Sequence, residues 1–306
     1  MTNDIVVLLN ASSGTGKGAD AAKLLERIFA EAGRSARIEL VESGERLREL
    51  AQAAVKAGCS ALVAGGGDGT INTVAAAAAG TDVPLGVLPL GTLNHFAKDV
   101  GIPDDLAKAA QVILDGHTER VDVGMVNDRI FLNNSSIGVY PRIVRLRERY
   151  QKRGRGKWIA AFWAMLVVLR RHSFMGVRIV ADGEARVRRT PFVFIGNNEY
   201  RMEGLSAGTR ETLDRGTLAL YLMNASGRRG LLWLGWQILC GRTHRLGELE
   251  TLLVNDAEIE TRRHAQQIAV DGEVVPQYGT LHYTIRPLAL RVFRPLPAPP
   301  SEDPKA

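Results

Sequence analysis

Apolar and polar residues alternate with two different rhythms along the chain, and the change falls near Gly116. Before it, short apolar runs alternate with stretches of helical spacing. Ile5 to Leu9, Ala36 to Val41, Ala61 to Ala64 and the segment from Pro84 to Thr92 read as strands. Ala19 to Ala32 repeats Leu24, Leu25, Ile28 and Phe29 on one helical face. Glu45 to Ala57, the Ala-rich segment after Thr70, a short turn of helix over Leu93 to Asp99, and Pro103 to Leu114 complete the set, with Pro103 at a favoured first-turn position. Strand and helix in strict alternation predict an α/β domain with an open parallel sheet.

After Gly116 the helical rhythm gives way to short strands with turn signals. Candidates are Arg120–Val126, Ile130–Asn133, Val177–Ala181, Phe192–Gly196, Thr217–Leu222, Thr251–Val254, Glu258–Thr261, Gln267–Val270 and Leu281–Ile285. Such a series predicts a β-sandwich-like second domain. The expected division is 1–124, 125–294, and a Pro-rich tail over 295–306 that reads as disordered.

Composition narrows the field. The chain has 306 residues, 45% of them hydrophobic, and a net charge of +6; its isoelectric point is near 9.5. That balance favours anionic partners. Two cysteines, Cys59 and Cys240, make neither a disulfide framework nor a metal cluster and suggest reduced thiols in a cytoplasmic protein. Met1 to Ile5 lacks the basic region of a secretory signal. The longest apolar run, Trp158 to Leu169, is too short to span a bilayer. It follows Arg142 to Lys157, which carries eight basic residues and one acid, Glu148. Basic residues beside Trp and Phe suit an anionic membrane surface; a core helix with a solvated basic end is the other reading. Leu231 to Trp236 is similar and reads as core. No nucleic-acid reading module is present, so nucleic acid is not an expected partner.

The chemistry centres on Gly65-Gly66-Gly67-Asp68-Gly69-Thr70, between an apolar strand and a helix start. Glycines let a ligand approach the backbone, and N–H groups of the first helical turn attract anions. A carboxylate there repels phosphate unless a metal lies between, so the pattern predicts a nucleotide site with Mg²⁺ nearby; the plain alternative is a strand-to-helix turn capped by Asp68. Asn10 to Gly18 is a second polar loop after a strand. It is neither a Walker A loop nor a dinucleotide fingerprint. Gly91 and Thr92 end a third strand. In an open parallel sheet such loops line one edge. A further signal is Asp271-Gly272-Glu273, two carboxylates about a flexible residue. It suits either a general base or an ordinary Asp-Gly hairpin turn.

Together these segments resemble the diacylglycerol kinase catalytic-domain family, which includes bacterial lipid kinases and the sphingosine and ceramide kinases. The resemblance runs from residue 5 to about 294. It rests on Asn10-Ala-Ser-Ser13-Gly14, Gly66-Gly67-Asp68-Gly69-Thr70, Pro89-Leu-Gly-Thr92-Leu-Asn94, Val121-Asp122-Val-Gly124, Asn133 to Gly138, Gly196-Asn197-Asn198 and Asp271-Gly272-Glu273. It implies an NAD kinase- and phosphofructokinase-like α/β domain, a β-sandwich-like domain, and an active site in the cleft between them. Asn10, Ser13, Gly14, the glycine loop with Thr70, Thr92, Asn94 and His95 would bind ATP. Asp68 and Asp122 would place Mg²⁺ directly or through water. Asp271 or Glu273 would take the proton of a lipid hydroxyl, with a slight preference for Glu273. The implied protein is cytoplasmic and meets the inner membrane face peripherally, with a homodimer as an open option.

Two departures stand out. The family usually has Asp where this chain has His95, and Mg²⁺ prefers oxygen to imidazole. Many bacterial members carry a structural Mg²⁺ at an Asp-Gly turn; here Leu213-Asp-Arg-Gly-Thr217 puts Arg215 at that Asp. The expectation is that the guanidinium replaces the ion, with Asp214 able to restore it only through a shifted turn. Two rival readings remain. NAD kinases share a Gly-Gly-Asp-Gly-Thr loop and need an Asn-Glu pair for ribose, and Asn198-Glu199 is such a pair in foreign surroundings. A non-catalytic nucleotide or lipid sensor would follow if His95 and Arg215 had cost the chain its activity.

Overall fold

The computed structural model describes residues 4–11, 18–138, 174–203, 206–223, 249–262 and 265–296. Ser13, Gly14, the basic-aromatic segment 142–169, the run 231–236, Cys240 and the tail from 297 lie outside them. The chain forms two compact units. One holds the residues up to Val121 together with the chain from Ala289; the other holds Asp122–Leu288.

In the first unit, strands β1 (Ile5–Asn10), β2 (Ala36–Val41), β3 (Ala61–Gly66) and β4 (Leu85–Pro89) lie parallel in the order β2-β1-β3-β4. β3 and β4 are buried along their whole length, as strands covered on both faces must be. β2, at the edge, is only half-buried. The end of the chain's last strand runs parallel beside β4, with Val292 opposite Leu85.

Helices α1 (Gly18–Glu31), α2 (Gly44–Lys56), α3 (Asp68–Ala78), α4 (His95–Asp99) and α5 (Leu106–Asp115) connect these strands. Each long helix buries one stripe: Ala21, Leu25 and Phe29 on α1, Ile71, Val74, Ala75 and Ala78 on α3. Ser43 caps α2 by accepting from the Arg46 amide. α5 starts later than Pro103 predicts. The Asp105 carboxylate accepts from the Lys108 amide at 2.9 Å and fixes the start one residue before Leu106.

The described residues of the second unit form β-strands and turns. Its strands are β5 (Thr118–Val126, from Asp122), β6 (Arg129–Phe131), β7 (Asn134–Gly138), β8 (Met175–Ala181), β9 (Glu184–Thr190), β10 (Phe192–Asn197), β11 (Tyr200–Glu203), β12 (Ser206–Arg210), β13 (Leu218–Met223), β14 (Leu249–Val254), β15 (Asp256–Thr261), β16 (Ala265–Val270), β17 (Glu273–Tyr278) and β18 (Leu281–Phe293, to Leu288). One antiparallel sheet runs β14-β13-β10-β7-β16-β17. The other places β18, β15, β8 and β9 side by side. Inward residues of both sheets, among them Ile137, Val193, Leu220, Ile268, Ile179, Ile259 and Tyr283, share one buried cluster. That is a sandwich. Arg188 joins the two sheets by a bidentate pair with Glu250, at 2.9 and 3.0 Å.

Five strands escape the sequence pattern. β7 is polar, because Ser135 turns inward to bond the Tyr283 hydroxyl and the Ala269 carbonyl. β9 is an edge strand rich in charge, and β17 is an edge strand holding Pro276, both tolerated only at an edge. β11 and β12 are short and, among the described residues, pair only with each other.

Candidate functional site

The first group of candidate residues gathers where β1, β3 and β4 end. Gly67 caps α3 and has no side chain to satisfy its first turn. The N–H groups there keep no intrahelical partner, which suits an anion. The loops are packed too closely for any other residue. A Cβ on Gly66 would lie 2.5 Å from the Thr70 hydroxyl, and one on Gly91 would lie 2.5 Å from the Cα of Gly67. Asn10 donates from Nδ2 to Thr70 Oγ1 at 3.1 Å, tying the end of β1 to α3. Asp68, the first residue of α3, accepts from the Phe96 amide at 3.3 Å. Asn94 takes a left-handed conformation with φ 51° and donates to the Gly91 carbonyl at 3.1 Å. Its own Oδ1 is buried without a partner.

The structure therefore brings together Asn10, Gly66, Gly67, Asp68, Gly69, Thr70 and Asn94. Thr92 and His95 adjoin them in sequence with exposed side chains. The donor set fits nucleotide phosphates: backbone amides, a glycine cradle, and one carboxylate set at the helix start. Among the described residues no three acidic, histidine or cysteine side chains form a metal cluster. An ion here would depend on Asp68 and on phosphate oxygens, the usual manner of a nucleotide-bound Mg²⁺.

Asp122 belongs to a different arrangement. It is 1% exposed. Its Oδ2 accepts from the Gly216 amide at 2.6 Å and its Oδ1 from the Leu288 amide at 2.8 Å. Each carboxylate oxygen is engaged by backbone, so the side chain pins three segments of the second unit together.

The third group surrounds the Asp271 turn. Asp271 and Gly272 have φ of 45° and 85° and join β16 to β17. Positive φ at both positions is the two-residue hairpin geometry, so the turn reading of this motif is correct. The carboxylate nonetheless has its own task. Oδ2 accepts from the Leu132 amide at 2.7 Å; Oδ1 accepts from the Asn133 and Asn134 amides, both at 2.9 Å. Burial pushes its pKa up to about 6, while the three amides and the Arg210 charge pull the other way. Glu273, at the start of the edge strand β17, is exposed.

Arg210 is a residue that sequence reasoning missed. Its guanidinium is buried and donates to the Leu132 carbonyl at 2.6 Å, the Asn197 carbonyl at 2.9 Å and Asn133 Oδ1 at 3.1 Å. It also lies over the Tyr200 ring. Asn197 adds amide bonds to the Leu132 and Asp122 carbonyls, both at 2.9 Å. A lone arginine on a short strand carries no local signal; only the fold shows what it reaches.

Arg215 sits between carboxylates, 3.3 Å from Glu199 and 4.0 Å from Glu211. Its backbone amide donates to Asn198 Oδ1 at 3.1 Å. Both members of the Asn198-Glu199 pair are thus engaged within the chain.

Comparison with known proteins covers most of the chain. Residues 4–126 match the diacylglycerol kinase catalytic domain, and residues 136–294 match the YegS C-terminal NAD kinase beta sandwich-like domain. A diacylglycerol kinase of Mycobacterium tuberculosis is 29% identical over 255 residues, 81% of either chain. A probable YegS-like lipid kinase of Chromohalobacter salexigens is 32% identical over 188 residues, 60% of this chain and 59% of the other. The crystal structure of a putative diacylglycerol kinase from Bacillus anthracis superposes with a TM-score of 0.76 at 20% identity, covering 96% of this chain and 95% of that one. The chain belongs to the diacylglycerol kinase catalytic-domain family, a class of kinase-type transferases, with its α/β and β-sandwich-like domains in family order. Among the described residues no helix is long and apolar enough to cross a membrane.

Proposed function

We propose that the protein is an ATP-dependent lipid kinase, transferring the γ-phosphoryl group of ATP to the free hydroxyl of a diacylglycerol-like or sphingoid lipid. The observation that carries this reading is the Asp271 carboxylate. Three amides fix it in place, and burial lifts its pKa to about 6. A general base works best when its pKa approaches the working pH. Glu273 is exposed at the start of an edge strand, so the preference passes from Glu273 to Asp271 as base.

In this reading the uncapped start of α3 holds ATP phosphates, with Asn10, Thr70, Thr92 and Asn94 around it, and Ser13, Gly14 and His95 as further contacts. Mg²⁺ bound to those phosphates would neutralise their charge. In this reading Asp68 would hold the ion, directly or through water. Asp122 is 1% exposed with both oxygens on amides and is assigned instead to holding its strand in register; Asp271, also held by amides, keeps partial access to solvent. The lipid oxygen bonds to the γ-phosphorus as the bond from that phosphorus to the bridging oxygen of ADP breaks. The hydroxyl proton passes to Asp271 and ADP leaves. Positioning and charge neutralisation do most of the work.

The lipid acceptor implies a cytoplasmic enzyme that visits an anionic membrane surface, and the basic-aromatic sequence 142–169 suits that contact. NAD kinase is disfavoured because Asn198 and Glu199 are bound to Arg215. A sensor is disfavoured because Asp68 and Asp271 both keep ordered surroundings.

The test is phosphate transfer from labelled ATP, with Mg²⁺, to a panel of lipids in mixed micelles, with NAD as a control acceptor. Labelling of one lipid, abolished in Asp68→Ala, is the expected result. Labelling of NAD, or binding of ATP with no transfer to any acceptor, would overturn it.

A further inference from the structure

The carboxylate of Asp271 is held by a tripeptide, and that tripeptide must itself be held. Residues 132–134 lead from the end of β6 into the first residue of β7, where the chain passes from one sheet of the sandwich to the other. All three amides point at Asp271. Such a run of N–H groups is not a regular strand and needs support on its carbonyl side. The support is Arg210. Its Nη1 reaches the Leu132 and Asn197 carbonyls and its Nη2 reaches Asn133 Oδ1.

Arg210 is 5% exposed. Burying a guanidinium is costly unless its donors are matched. Two carbonyls and one side-chain amide oxygen accept from it, and the Tyr200 ring faces it. Its positive charge favours the ionised form of Asp271. A purely structural clamp on three carbonyl-type acceptors could be neutral; this one carries charge.

We propose that Arg210 is a positioning residue for the acceptor half of the reaction: its guanidinium holds the Leu132–Asn134 tripeptide, whose three amides in turn hold the Asp271 carboxylate. This rests on the kinase reading above. Two effects follow. The fork fixes where the Asp271 oxygens stand, and the charge favours the ionised carboxylate. The charge that acts on Asp271 is that of Arg210 on β12, and residues 132–134 carry none.

The experiment measures kcat and KM against pH, over about pH 5 to 9, for the wild type and for Arg210→Gln, Arg210→Lys and Asn133→Ala, with diacylglycerol in mixed micelles. Arg210→Gln loses charge and fork. It should lower kcat by about 10-fold or more and move the acidic limb of the profile upward by about one pH unit. Arg210→Lys keeps the charge, so its limb should stay in place while kcat falls. Asn133→Ala removes one anchor and should lower kcat several-fold with KM for ATP unchanged. Circular dichroism and Tm identify any variant that fails to fold; Asn133→Ala then decides, and an unchanged kcat overturns the proposal. A folded Arg210→Gln with a lower Tm but an unmoved limb shows a structural role only and overturns it as well. A wild type that phosphorylates no lipid sinks the kinase reading itself, and this inference with it.

Discussion

Asp68 accepts a hydrogen bond from the backbone amide of Phe96 at 3.3 Å, so the first residue of α3 also secures the first turn of α4. The same carboxylate is assigned to the metal, and the two tasks can be separated. Asp68→Asn keeps an oxygen for the Phe96 amide and loses the charge. Asp68→Ala loses both. Charge on phosphate oxygens is worth several kcal/mol in such reactions, so both variants should lose about 10²-fold or more in kcat/KM. Only Asp68→Ala should also lower Tm. Steady-state kinetics beside thermal melts check this, and equal Tm losses would show that the amide contact contributes nothing.

Asp271 gives activity a particular pH dependence. Its folded pKa of about 6 lies above the ordinary carboxylate range. As base it must be ionised, so kcat/KM should rise with pH through about 6 and flatten above it. Stability should move the opposite way. A carboxylate whose folded pKa is raised binds more protons folded than unfolded, so its contribution improves as pH falls from about 7 to about 4. Asp271→Asn should remove the limb and most activity, about 10²-fold or more. It also turns an amide NH₂ toward backbone donors, so Tm should fall. An acidic limb that survives in Asp271→Asn would assign the base elsewhere, with Glu273 first in line.

The glycine loop was readable because its geometry is local. Gly66 to Thr70 is a contiguous string, and one turn of chain both builds the glycine cradle and starts the helix. The surroundings of Asp271 were readable only in part. Asp271-Gly272 announced a hairpin, and a hairpin it is; that its carboxylate would be filled by the amides of residues 132–134 depends on strands far apart in sequence. Arg210 had no local signature, and Asp122 carried a family role that its two backbone bonds do not suggest. In the fold, the buried parallel strands declared themselves by unbroken apolar runs. β7 and β9 did not, because one trades apolar residues for a buried serine and the other is an edge protected by charge.

Ser136 offers a stability test free of the active site. It is fully buried on β7, between Phe194 on β10 and Ala269 on β16, and its hydroxyl has no partner. An unsatisfied buried hydroxyl costs about 1–3 kcal/mol. Ser136→Ala should therefore raise stability, by about 2–4 °C in Tm for each kcal/mol regained in a unit of this size. A lower Tm would mean that the hydroxyl has a partner after all, such as an ordered water.

Arg215 leads to a prediction about metal removal. Its guanidinium stands 3.3 Å from Glu199 and 4.0 Å from Glu211, all three at least 43% exposed. Exposed pairs of this kind contribute little, about 0–1 kcal/mol, so Arg215→Ala should change Tm only slightly. What the arginine does is supply positive charge where two carboxylates converge. Chelator should accordingly leave the wild-type Tm unchanged in the absence of nucleotide. Arg215→Asp reverses the balance by setting a third carboxylate beside Glu199 and Glu211. Like charges would lower its Tm in chelator, and oxygen ligands would make it recover with Mg²⁺ or Ca²⁺. Melts across a titration of either ion check both statements. A wild-type Tm that falls on adding chelator would place a structural ion in the second unit and end the reading of Arg215 as its substitute.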